Sequence, residues 1–224
     1  MFERRFAPLF LFVLLGANGA LADPPLGIGE PRAPEPFTLE QRLLDAARRG
    51  DRATVERALE KGAPAGAKDD VGRSALLLAA RDAGSLELVK LLHARGAAAD
   101  DPDATGRAAL SWAAADGRLE LARWLAGQGA QIDRADVDRR TPLFYAAAGG
   151  HVDVARLLLE RRANPNAADR FGDTPLMVAC IRGQDAMAEL LLARGADPAL
   201  RNQEGKTAAD RAMPGSTHCR ERRE

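Results

Sequence analysis

From residue 74 onward the chain repeats itself about every 33 residues. Thr141-Pro142-Leu143-Phe144-Tyr145-Ala146-Ala147 recurs as Thr174-Pro175-Leu176-Met177-Val178-Ala179-Cys180. Looser copies are Ser74-Ala75-Leu76-Leu77-Leu78-Ala79-Ala80 and Ala108-Ala109-Leu110-Ser111-Trp112-Ala113-Ala114. The leading positions are 74, 108, 141, 174 and 207, spaced by 34, 33, 33 and 33 residues. A second run keeps phase with the first, as in Leu86-Glu87-Leu88-Val89-Lys90-Leu91-Leu92 and Val152-Asp153-Val154-Ala155-Arg156-Leu157-Leu158-Leu159. Each second run ends at small residues: Gly62-Ala63, Gly96-Ala97, Gly129-Ala130, Arg162-Ala163 and Gly195-Ala196. A period of this length belongs to stacked architectures, in which a unit buries its apolar face against its neighbours.

The repeat reads as two helices. Thr caps the first and Pro occupies its first turn, where a missing N–H leaves no bond unmade. Apolar residues at helical spacing bury one face, and Gly after the second helix takes the left-handed conformation that ends it. Aromatics are only 4% of the chain, whereas Ala and Leu supply 76 of 224 residues. That composition suits thin helices in close contact, because Ala loses no side-chain entropy in a helix. One step upstream, Gln41-Arg42-Leu43-Leu44-Asp45-Ala46-Ala47 is a degenerate copy and reads as an N-terminal cap. The last copy, from Gly205 to Met213, is polar and stops after one helix at Pro214, as a C-terminal cap requires.

These residues resemble the ankyrin repeat, whose T-P-L-H-x-A start and 33-residue period they match over roughly Phe37 to Met213. The resemblance implies an all-α fold, an ankyrin-repeat solenoid of stacked helix-turn-helix units with β-turn fingers. It places a cap at 37–69, repeats at 70–103, 104–136, 137–169 and 170–202, a C-terminal cap at 203–213 and a polar tail at 214–224. The chain departs from the pattern in three ways. Leu77, Ser111, Phe144 and Met177 stand where the family carries His, so stability leans more on apolar packing. Arg139 stands where Gly72, Gly106, Gly172 and Gly205 supply the turn glycine, which predicts a different turn at 136–140. The extra residue of repeat one falls at Arg81-Asp82-Ala83 and is expected to lengthen the connection between its two helices.

Ahead of the repeats, Arg4 and Arg5 precede an apolar run from Phe6 to Leu15 and then Ala20-Leu21-Ala22. This is the order of a secretory signal peptide, too short to span a bilayer, with cleavage expected after Ala22. Residues 23–36 carry five prolines and no apolar period, which predicts an extended leader. No Cys follows the apolar run to take a lipid. The 28 Arg against 4 Lys, with abundant Ala, resemble the product of a GC-rich bacterial genome. The expected destination is therefore the periplasm or the medium, with no membrane insertion once the signal peptide is removed. Thirty-two basic and thirty-two acidic residues leave no net charge, so no field draws in nucleic acid.

A catalytic centre is not expected, because repeats that touch only their neighbours bring few reactive groups together. Of three histidines, His93 lies near the end of a second helix, His151 begins one and is read as structural, and His218 is in the tail. They offer too few ligands for a metal, and no cofactor motif is present. Asp69-Asp70 and Asp100-Asp101 are assigned to finger turns, where Asp bonds local backbone.

Binding is the sharper expectation. In the family the resemblance names, finger tips and first helices form a concave surface for protein partners. Its equivalent positions here read Leu78, Trp112, Tyr145 and Val178, an apolar stripe that either contacts a partner or fills gaps between repeats. The fingers add Val71, Arg73, Arg107, Val137, Arg140, Arg170, Phe171 and Lys206, and Trp, Tyr and Arg are enriched at interface hot spots. Trp124 is read as packing. The sequence thus describes a monomeric, non-catalytic binding protein whose partner is an unidentified protein. The alternative is a redox-linked or stress-related periplasmic role for Cys180 and Cys219. Cys180 sits where other copies carry Ala80, Ala114 and Ala147, so a buried thiol, a disulfide with Cys219 and an intermolecular link all remain open.

Overall fold

A computed structural model describes residues 37–213 and Cys219. The predicted signal peptide and leader, His218 and the rest of the tail lie outside the described residues. Among the described residues the fold has eleven α-helices and no strand. They are α1 (Leu39–Arg49), α2 (Arg52–Glu60), α3 (Ala75–Leu78), α4 (Leu86–Ala94), α5 (Ala109–Ala115), α6 (Leu119–Gly127), α7 (Pro142–Gly149), α8 (Val152–Glu160), α9 (Pro175–Ile181), α10 (Asp185–Ala193) and α11 (Ala208–Arg211). The odd-numbered helices are first helices, and α1 to α10 pair as hairpins within repeats. First helices also pack along the stack, α1 on α3, α5 on α7, α7 on α9 and α9 on α11.

The phase of the sequence explains the contacts. Ala46, Ala47, Ala79, Ala80, Ala113, Ala114, Ala146, Ala147, Ala179 and Cys180 are all fully buried. A methyl group or a thiol at each contact lets first helices lie close together. The second helices supply the larger side chains, with Leu92, Leu125, Leu158 and Leu191 fully buried at one recurring position. The neighbouring position holds Trp124, Leu157 and Leu190; Leu157 and Leu190 keep slight exposure, and Trp124 is half-buried edge-on to His93.

Helix starts follow the expected chemistry. Ser74, Thr141, Thr174 and Thr207 each accept a hydrogen bond from the backbone N–H three residues on. Ala108 makes no such bond. In the N-terminal cap, Thr38 does this work through a capping box with Gln41, so α1 begins three residues before the position that the period marks.

Two expectations about departures need correction. Arg81-Asp82-Ala83 does not lengthen a loop; residues Ala79–Ala83 form a π-helical turn that continues α3, which absorbs the extra residue inside the helix. Arg139 does not change its finger, because it takes a left-handed φ of 62° and donates its N–H to the Asp136 carbonyl. Gly72, Gly106, Gly172 and Gly205 have φ between 74° and 82° and donate in the same way to the residue three before. Arg162 likewise holds φ 66° where Gly129 and Gly195 end other second helices.

Candidate functional site

The fingers are built on a residue that the repeat places at 69, 103, 136, 169 and 202. Asp69, Asp103, Asp136, Asp169 and Asn202 each accept backbone N–H groups two and four residues on through a side-chain oxygen. Each finger then binds the one before it: the N–H groups of Ala104, Val137, Arg170 and Gln203 donate to the carbonyls of Val71, Thr105, Asp138 and Phe171. At two of the turn glycines a close approach adds to the demand of the positive φ. A Cβ on Gly106 would stand 3.1 Å from the Asp136 backbone, and one on Gly172 3.0 Å from that of Asn202.

At two of the finger turns a terminal arginine reaches across to the next repeat. Arg107 Nε donates to Asp136 at 3.3 Å, and Arg140 lies 3.6 Å from Asp169. Asp136 also accepts the Tyr145 hydroxyl, so two repeats share one carboxylate. Burial pushes the Asp136 carboxyl up, but the bonds from Tyr145, the Arg140 N–H, Arg107 and the Asp138 N–H outweigh it and hold the group below the ordinary range. The Tyr145 hydroxyl is pushed the other way, by burial first and then by its bond to Asp136. Arg73 instead pairs within its own finger, at 2.7 Å from Asp69.

Four aromatic rings, those of Trp112, Phe144, Tyr145 and Phe171, lie under guanidinium groups. Arg81 and Arg107 stand 4.3 and 4.9 Å from the centroid of the Trp112 ring, and Arg107 is also 4.5 Å from that of Tyr145. Arg140 covers Phe144 and Arg170 covers Phe171 at 4.6 Å. Trp112 and Tyr145 are half-buried, and the Trp112 indole Nε1 has no acceptor among the described residues.

The expected stripe is therefore interrupted. Leu78 is fully buried in α3, which α1 covers, and so cannot touch a partner. Val178 is 9% exposed and offers little more. What the structure brings together instead is Trp112, Tyr145, Arg107 and Arg140 with Asp136, a residue that composition and helical spacing did not single out. The recurrence of Asp at 33-residue intervals was the available signal. Arg81 was hidden because the inserted residue sets it outside the repeat pattern. On the finger tips, Val71, Val137 and Phe171 remain 48, 68 and 45% exposed.

Other assignments resolve locally. His151 Nε2 donates to the Ala115 carbonyl at 2.9 Å, a bond to the preceding repeat that Arg118 makes to the carbonyls of Ala80 and Arg81. Asp69 bonds its own finger backbone as expected, but Asp100 and Asp101 precede the turn and pair with Arg134 and Lys68 of neighbouring repeats. Cys180 and Cys219 are joined in a disulfide. Among the described residues no cluster of three or more His, Cys, Asp or Glu could hold a metal ion, and no helix is long and apolar enough to cross a membrane.

A family model of ankyrin repeats in three copies matches residues 43–136 and 133–202. The chain belongs to the ankyrin repeat family. Its all-α solenoid is that of the family, whose repeats generally mediate protein–protein interaction. No curated protein matches the sequence of this ankyrin-repeat protein.

Proposed function

We propose that this ankyrin-repeat protein is an exported, non-catalytic monomer that binds a protein partner through the concave face made by its first helices and finger turns. The observation that carries the reading is the set of apolar side chains left exposed on three fingers, Val71, Val137 and Phe171. The other exposed large apolar side chains among the described residues, Phe37, Leu39 and Met213, lie at the two ends of the array, so a row of apolar tips along its middle, with Arg-covered aromatic rings, has the composition of an interface. Export to the periplasm or medium rests on the charged, apolar and small-residue order of residues 1–22.

The test is capture from native periplasmic extract by the full chain, set against a Val137→Ser, Phe171→Ser variant and a Trp112→Ala variant. A protein held by the parent and released by the finger variant supports the reading; equal retention by all three moves the interface elsewhere. N-terminal sequencing of the recovered chain checks export, with Asp23 expected first.

A second reading, a redox-linked role, would use the Cys180–Cys219 disulfide, which joins Cys219 to the last full repeat and is compatible with either reading. Finding two free thiols in protein taken directly from the periplasm would remove it.

A further inference from the structure

We propose that the first-helix face between Arg81 and Tyr145 takes the carboxylates of an acidic, extended protein segment, held by the guanidinium groups of Arg81 and Arg107. The proposal names the partner chemistry of the binding role above and rests on it.

Both guanidinium groups are already positioned. Arg81 and Arg107 lie over the Trp112 ring, and Arg107 also lies over Tyr145. Such stacking fixes a long side chain that would otherwise lose rotamer freedom on binding. The nearest carboxylate contact of each is through Nε, Arg107 with Asp136 at 3.3 Å and Arg81 with Asp82 at 3.4 Å. Their terminal nitrogens carry no side-chain hydrogen bond among the described residues. That end of a guanidinium presents two parallel N–H donors, the geometry that a carboxylate accepts with both oxygens. Because both groups reach one indole ring, alternate side chains of an extended strand, about 7 Å apart, span them.

Exposure gives the face its sign. The Asp136 and Asp169 side chains are 1 and 3% exposed, whereas Arg81, Arg107 and Arg140 are 33, 24 and 28% exposed. A partner therefore meets the cations while most of the compensating charge lies beneath them. Asp82 and Asp138, each 27% exposed, weigh against a doubly charged phosphate more than against a single carboxylate. The absence of net charge on the chain also disfavours a polyanion such as nucleic acid.

The experiment titrates the full chain, near 0.15 M ionic strength, into labelled hexaglutamate, hexaglutamine and a phosphoserine hexapeptide, followed by fluorescence polarisation. Hexaglutamate is expected to bind saturably and to weaken about tenfold in Arg81→Gln and in Arg107→Gln, as loss of a charge-assisted pair predicts. Arg95→Gln, an exposed arginine away from the stack, is expected to change nothing. Arg107 also supports Asp136, so Arg81→Gln decides if Arg107→Gln melts early. No saturable binding, equal binding of hexaglutamine, an equal loss in Arg95→Gln or tighter binding of the phosphopeptide would each overturn the proposal. If hexaglutamate fails while a partner is still captured through Val137 and Phe171, acidic recognition falls and the binding role stands.

Discussion

The side-chain amide of Asn202 donates to the Asp173 carboxylate at 2.8 Å, reversing the sense of the bond that joins the same two finger positions at earlier junctions. There the end of one finger is a cation and the start of the next a carboxylate, as in Arg107 with Asp136. At the last junction the carboxylate has moved to Asp173, and Asn202 supplies the donor while its own oxygen still accepts the Glu204 and Lys206 N–H groups. The amide serves both directions, which a carboxylate does not.

Asn202→Asp therefore keeps the finger turn and places two carboxylates face to face. Arg211, 2.9 Å from Asp173, offsets part of the repulsion. The expected loss is about 1–2 kcal/mol at neutral pH, the magnitude of one buried bond turned repulsive. Urea unfolding measures it, and the deficit should shrink on acidification, which removes the repulsion. A variant as stable as the parent would show that the two side chains do not hold this junction.

Asp136 makes the corresponding acid-sensitive contact in mid-stack. Its carboxyl is held below the ordinary range in the folded protein, against the opposing effect of burial. A depressed folded value means that its contribution is complete above the unfolded carboxylate range and is lost as pH falls through the folded value. Asp136→Asn should cost about 2 kcal/mol at pH 7, with the gap between parent and variant closing below about pH 4. A gap that stays constant with pH would show that the charge contributes nothing.

Much of this was legible in the residues. The helix positions, caps and buried Ala rows follow from a 33-residue period combined with a 3.6-residue one, because each repeat meets the same neighbours. The candidate site was legible only in part. Trp112, Tyr145 and Arg107 could be named singly, but nothing in their spacing says that the guanidinium lies over both rings. Leu78 was misplaced for a related reason: position in the repeat predicts direction, whereas burial depends on what the preceding repeat supplies, here the longer helix α1. The Cys180–Cys219 pairing depends on the path of a tail that has no repeat to constrain it.

Arg139 offers a gain in stability. It is exposed and holds φ at 62°, a conformation that costs a non-glycine residue about 1 kcal/mol. Arg139→Gly restores the residue type of the other fingers and should raise stability by about 0.5–1 kcal/mol, read as a higher urea midpoint at unchanged slope. A lower midpoint would mean that the Arg139 side chain makes a contact worth more than the backbone relief.

The disulfide should act locally. Its two cysteines are 39 residues apart in sequence, and closing a loop of that length stabilises a fold by about 3–4 kcal/mol in the chain-entropy account. The C-terminal cap has one short helix, α11, and lacks a second helix to cover α10 among the described residues. Cys219, buried against Cys180, is bonded to this open end beside a cavity of about 350 Å³ lined by Leu176, Leu192, Pro198 and Ala208. Because stability in a stack is a sum over neighbouring repeats, losing the bond weakens the end before the middle. In Cys219→Ala, hydrogen exchange should quicken across α9, α10 and α11 while α5 and α6 keep their protection. The Cys180→Ala, Cys219→Ala pair should behave alike, since Ala at 180 restores the residue of the other repeats. Uniform loss of protection along the chain would mean that the array unfolds as one unit, and no loss at all would mean that the tether does not support the last repeat.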